Sequence, residues 1–221
     1  MPALPQPSPA SGRRQRVHDA VRELMAEQGF RISMEAVAAR AGCSKQTLYS
    51  HFGSKQELMR SVMQEHLDMA AARLDDQHGD PRTGLLAFAM EHLQRLSEPH
   101  VIVTCQLLSA EAALFPEEAR TLYRDGCDTL QQRLAEWLQG AMRRGLIRHD
   151  DPHLAAELLL GMIVGLDFER QRFAVPHRDD DSKRLQWAGF AVDNFMRAFA
   201  PVASRIHPTP HNFFNLSAYK S

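Results

Sequence analysis

Between Ser33 and Glu57 the chain carries three helix starts and two helix stops in close succession. Ser33 is placed to cap a short helix whose apolar residues Met34, Val37, Ala38 and Ala41 share one face, and Gly42 ends it. Only Cys43 separates that glycine from Ser44, which caps a second short helix running to Phe52, with Gly53 beyond it. Ser54-Lys55-Gln56-Glu57 then reads as a capping box, in which the serine hydroxyl and the glutamate carboxylate satisfy backbone N–H groups reciprocally. Two short helices joined by Gly42-Cys43-Ser44 have the spacing of a helix-turn-helix, whose second helix enters the major groove of DNA while the first crosses the backbone. Ala38, Ala41 and Gly42 are small enough to allow that close crossing.

Helical signals run through most of the rest. Val17, Ala20, Val21, Leu24 and Met25 form one apolar stripe, ended by Gly29 as a left-handed residue with Phe30 packing back on Met25. A weak boundary at Gln77-His78-Gly79-Asp80-Pro81 precedes longer apolar helices over 82–96, 98–112, 116–144, 151–172 and 183–200. Pro116 and Pro152 suit first helical positions. The β-branched run Val101-Ile102-Val103-Thr104 has no strand to pair with and reads as helix. The expected fold is all-α: an N-terminal three-helix helix-turn-helix domain over 13–60 and a larger helical-bundle effector and dimerisation domain over 61–205. A flexible arm over 1–12, with Arg13, Arg14 and Arg16 behind it, and a tail over 206–221 flank them.

Charge agrees with this division. The net charge is −1, yet residues 1–60 hold nine Lys/Arg against five acids, so a basic head is attached to an acidic body. The longest apolar run, Leu158 to Leu166, is far short of the roughly 20 residues that span a bilayer. No secretory signal opens the chain, and Cys43, Cys105 and Cys127 lack disulfide or zinc spacing, which points to a reducing cytoplasm. Neither a metal site nor a cofactor is expected. His149 and His153 are separated by the start of a helix, and His207 and His211 flank prolines in the tail. Nucleophile-elbow, P-loop and dinucleotide motifs are missing, so the chain is not expected to be an enzyme.

On the second short helix Leu48 and Phe52 face inward. Lys45, Gln46, Thr47, Tyr49, Ser50 and His51 are left on the outer and leading surfaces, as a surface facing phosphate requires. Lys55 falls at the first position of the next helix, where its cation and the free N–H groups act together on a bound phosphate.

Residues 17–58 resemble the DNA-binding domain of the TetR family of bacterial transcription regulators. Ile32 to Ser44 matches the family's second helix and turn, and Lys45 to Leu58 its recognition helix and the opening of its fourth helix, with Tyr49, Phe52, Lys55 and Leu58 at the family's spacing. Cys43 stands where the family usually has a branched aliphatic, and Gln46 where it often has glycine. The resemblance implies that Tyr49, His51 and Lys55 contact phosphates and that Ser44 caps the recognition helix while reaching one. It implies Lys45, Gln46 and Thr47 as readers of base edges, with Ser33 and Arg40 as further backbone contacts. Lysine suits guanine O6/N7, and glutamine can grip adenine.

Phe115 to Arg120 and Asp151 to Glu157 resemble the AefR-like subgroup of repressors. That likeness implies a body that binds a small molecule among its middle helices and dimerises through its last two long ones. Phe88, His92, Leu96, Cys105, Gln106, Leu108, Tyr123, Cys127, Trp137, Met162 and Leu166 are the candidate lining for a small apolar or aromatic effector, with His92, Gln106 and Tyr123 as orienting polar groups. Taken singly, most of them also suit plain core. Trp187, Phe190, Phe195, Met196 and Phe199 exceed what one helix face needs and favour burial against a second copy. The expected function is a homodimeric, ligand-responsive repressor released from a palindromic operator on double-stranded DNA. Alternatives are an architectural or adaptor protein without an effector, or an all-α enzyme.

Overall fold

The computed structural model describes residues 9–74 and 80–201. Residues 1–8 of the expected arm, Gln77 to Gly79 at the expected boundary, and the 206–221 tail with His207 and His211 lie outside the described residues. No strand occurs among those described. The head is built from α1 (Pro9–Gln28), α2 (Met34–Ala41), α3 (Lys45–Phe52) and α4 (Lys55–Ala71). Caps form where serines were placed: the hydroxyls of Ser33, Ser44 and Ser54 accept the N–H groups of Ala36, Thr47 and Glu57 at 3.0–3.1 Å. The reciprocal half of the capping box is not made. Glu57 turns instead to Arg60 along its own helix, and the Ser54 N–H goes to the Phe52 carbonyl at 2.8 Å.

Val17, Val21 and Leu24 of α1 close over Val37 and Ala38 of α2, Leu48 of α3, and Leu58 and Val62 of α4. A buried polar tie reinforces this core. His18, 1% exposed, reaches Glu65 Oε2 at 2.6 Å and Ser61 Oγ at 3.0 Å, joining α1 to α4. Burial alone would raise the Glu65 carboxyl, but the His18 hydrogen bond and the Arg22 charge hold it below its ordinary value.

The body comprises α5 (Pro81–Leu96), α6 (Pro99–Glu111), α7 (Pro116–Tyr123), α8 (Thr129–Arg143), α9 (Pro152–Val164), α10 (Asp167–Arg172) and α11 (Asp181–Ala198). Four of these open on a proline in the first turn, where a missing N–H costs nothing. Its core runs from Leu85 and Phe88 of α5 through Leu134 and Leu138 of α8 and Leu159 of α9 to Val192 and Phe195 of α11.

Three expectations are corrected. The arm does not extend to residue 12, because α1 begins at Pro9 and carries Arg13, Arg14 and Arg16 on a helix; proline is tolerated at the helix start. The helix over 116–144 is interrupted by a five-residue π turn, Arg124–Asp128, which sets Gly126 against the Met63 methyl of α4, where a Cβ would come within 2.6 Å. The helix over 151–172 breaks at Gly165, whose φ of 55° with ψ of −155° is a combination essentially reserved for glycine and whose missing Cβ admits the Trp187 ring. The Trp187 indole N–H donates to the freed Ile163 carbonyl at 2.7 Å.

Candidate nucleic-acid interface

The α2–α3 crossing turns one face of α3 outward, with Lys45, Gln46, Tyr49, Ser50 and His51 all exposed and Leu48 buried beneath. Ser44 and Thr47 share a hydroxyl contact of 2.8 Å at the helix start. The expected cations differ in what they already hold. Lys45 pairs with Glu35 of α2 and lies 5.7 Å from the centre of the Tyr49 ring. Hydrogen bonding within that pair holds the Glu35 carboxyl below its ordinary range and raises the Lys45 ammonium. Arg40 turns toward α1, 2.9–3.0 Å from Glu27 and 3.0 Å from Glu23. Lys55 does stand at the first position of α4, but its ammonium donates to the carbonyls of Phe30 at 2.9 Å and Ile32 at 3.2 Å, leaving one N–H for another partner.

Arg13 and Arg14 line a cleft of about 430 Å³ between α1 and α3, with Thr47 and His51 across from them and Val17, Cys43, Leu48 and Phe52 as an apolar floor. No acid lines it.

The turn Gly29–Ile32 connects this surface to the body. Glu111 at the end of α6 is 4% exposed, and its Oε2 accepts the Phe30 N–H at 3.0 Å while Oε1 pairs with Arg31. Gly29, at φ 58°, leaves room for that carboxylate where any Cβ would collide with it. The Phe30 ring lies 5.9 Å from Phe115. Glu111 from the body and Lys55 from α4 therefore grasp the same turn from two sides. The sequence reading missed Glu111, Glu35 and His18. A lone acid among apolar neighbours, as in Leu107 to Leu114, was the available signal for the first.

The expected effector lining is dispersed. Phe88, His92 and Trp137 are buried in the body core, with His92 stacked 5.9 Å from Phe88. Burial pushes the His92 imidazole down to about 4. Its Nδ1 and the Trp137 Nε1 are buried without a hydrogen-bond partner among the described residues. Leu108 packs on the head core instead. Leu96, Cys105, Gln106 and Met162 are half-buried, and Gln106 donates to the Arg172 carbonyl. Burial raises the Cys105 thiol. Cys127, Tyr123 and Leu166 are exposed, and Tyr123 lines an open groove of about 520 Å³ with Ala119 and Arg124.

Residues 18–62 match the family model described as bacterial regulatory proteins, tetR family, and residues 83–201 match that of the AefR-like transcriptional repressor C-terminal domain. The regulator UidR of Escherichia coli is 27% identical over 169 residues, 73% of this chain and 84% of UidR. A TetR-family regulator from Mesorhizobium loti superposes with a TM-score of 0.71 at 24% identity, over 88% of this chain and all of that one. The flavonoid-responsive regulator FrrA gives 0.62 at 27% identity, over 87% and 99%. Two consecutive family models, a matching fold and a helix-turn-helix with its outer face open lead to one assignment: the chain belongs to the TetR family of helix-turn-helix transcriptional regulators.

Proposed function

We propose that the chain is a homodimeric repressor that binds a near-palindromic operator and is released from it by a small apolar or aromatic molecule. The observation that carries the DNA half is the exposed face of α3 flanked by the basic cleft. Lys45, Gln46 and Thr47 read base edges, while Tyr49, His51, Ser44, Ser33 and the remaining N–H of Lys55 meet phosphates. Arg40 supports this surface from behind through α1. Arg13 and Arg14 seat a sugar–phosphate segment in the cleft. In a twofold dimer the two recognition helices lie about one helical turn, roughly 34–36 Å, apart or somewhat more.

Dimerisation is supported by an apolar face left open on adjacent helices: Leu154 and Leu158 on α9, Leu185 and Phe190 on α11, all at least 50% exposed. Ligand response is supported by the likeness to AefR-like repressors and to FrrA, and by two polar atoms inside the body without a partner among the described residues, His92 Nδ1 and Trp137 Nε1. A neutral imidazole and an indole N–H suit an uncharged aromatic with polar substituents. Binding there, among helices that also carry Leu96, Cys105, Gln106 and Met162, shifts α6 and through Glu111 the turn that holds Lys55. By linkage, operator weakens ligand by the factor that ligand weakens operator, typically about 5–150-fold.

Selection of bound duplexes from a random pool, followed by a release screen with hydroxylated aromatics, tests both halves. Enrichment of a near-palindrome with release by some of these compounds is expected. Enrichment without release by any uncharged apolar or aromatic compound would leave an effector-independent DNA-binding protein. No enrichment would remove the operator.

A further inference from the structure

We propose that Glu35 is a specificity-determining residue, and that together with Lys45 it reads one guanine–cytosine base pair in each half-site. This rests on the reading that α3 lies in the major groove. Recognition helices place their N-terminal residues against base edges, and Lys45 is the first residue of α3. Glu35 lies ten residues earlier, in the first turn of α2, and only the helix crossing brings its carboxylate to the Lys45 ammonium. Both side chains are more than half exposed on that edge.

The chemistry of the pair is complementary to one base pair. In the major groove guanine offers two acceptors, O6 and N7, and cytosine a single donor, its N4 amine. An ammonium has three N–H donors, so one can hold Glu35 while others reach the guanine acceptors. The ionised carboxylate only accepts, and its second oxygen is available to the cytosine amine. The Lys45 hydrogen bond that holds the Glu35 carboxyl low keeps it in that form. An adenine–thymine pair also presents an amine and two acceptors, but the amine lies between N7 and the thymine O4, so the ammonium loses two adjacent acceptors and the carboxylate meets an oxygen where cytosine has its amine. A carboxylate on a phosphate-facing surface would oppose binding to every sequence; one turned into the groove opposes only the wrong bases.

The test is selection from random duplexes with the full-length protein and with Glu35→Gln, Lys45→Ala and the double variant, checking that their unfolding midpoints match. The wild type should enrich a guanine–cytosine pair at one position per half-site. Both single variants should lose that preference at the same position, by about 5- to 150-fold, and the double variant should lose no more than the worse single one. Glutamine can grip adenine, so Glu35→Gln should also gain adenine–thymine there. The inference is overturned if Glu35→Gln enriches the wild-type sequence and merely binds all duplexes more tightly, or if the two variants act at different positions. A wild-type protein that enriches nothing overturns the groove reading itself, and the inference with it.

Discussion

Head and body leave different surfaces for their partners. On the head the outward groups are charged or hydroxylated, and cations outnumber acids over residues 1–60 by nine to five. On the body Leu154, Leu158, Leu185 and Phe190 are large apolar side chains turned outward. The physics of the two contacts should differ accordingly. A polyanion bound by released counterions is lost as salt rises, whereas an apolar interface is nearly indifferent to salt. One chain thus holds its two macromolecular partners by forces that can be varied separately.

The largest expected effect is on the apolar side. Leu154→Glu with Leu158→Glu places two unpaired charges in the proposed dimer seam, at about 3–5 kcal/mol for an uncompensated buried charge. Sedimentation should show a monomer at concentrations where the wild type is dimeric, while the isolated protomer keeps its helical content. An unchanged dimer would move the seam elsewhere.

Next is acid sensitivity, which should belong to the body. His92 has a folded pKa of about 4 against an ordinary 6.5. The unfolded chain binds the extra proton first, so stability falls as pH drops from about 6.5 toward 4, by up to about 3 kcal/mol. His92→Leu should remove that part of the acid dependence and leave stability near pH 8 within about 1.5 kcal/mol. Parallel pH profiles for the two proteins would show that His92 is not the group.

Smaller, and located between the two regions, is the Glu111 contact. Glu111→Ala orphans the buried Phe30 N–H, at about 1–3 kcal/mol, and Glu111→Gln, which keeps an acceptor, should recover much of it. Hydrogen exchange at the Phe30 amide reads this directly: faster in the alanine variant, near wild type in the glutamine one. Equal rates in all three would exclude Glu111 as the tie between head and body. The smallest change is on the charged side. Arg13→Ala with Arg14→Ala should reduce the salt slope of DNA binding by about two units per protomer, or nearly four for the dimer, at roughly 0.9 per phosphate contact. An unchanged slope would empty the cleft.

The same contrast governs how much could be read before the fold was known. Head elements are set by signals a few residues apart, such as Ser33 and Gly42 or Ser44 and Gly53, and those helices lie within a residue of where the signals place them. The body is decided by contacts far apart in the chain. Nothing near Gly165 shows that Trp187 will fill the space beside it, and nothing near Gly126 shows that Met63 will lie there. Periodicity therefore ran two helices through breaks. The lining candidates failed to gather for the same reason: an apolar residue on a middle helix fits core, seam and cavity equally until its neighbours are known. In the head, the residues on α3 were legible and their partners were not, since Glu35 meets Lys45 and Glu111 meets Phe30 only through the packing.

The most direct measurement is a paired salt titration of the wild-type protein, following operator affinity and the dimer dissociation constant from about 50 to 200 mM. Several phosphate contacts per dimer predict an operator affinity that falls by on the order of 10³ or more, while the dimer constant changes by less than about threefold. An operator affinity that ignores salt, or a dimer constant that follows it just as steeply, would contradict the division between a charge-held head and an apolar-held body.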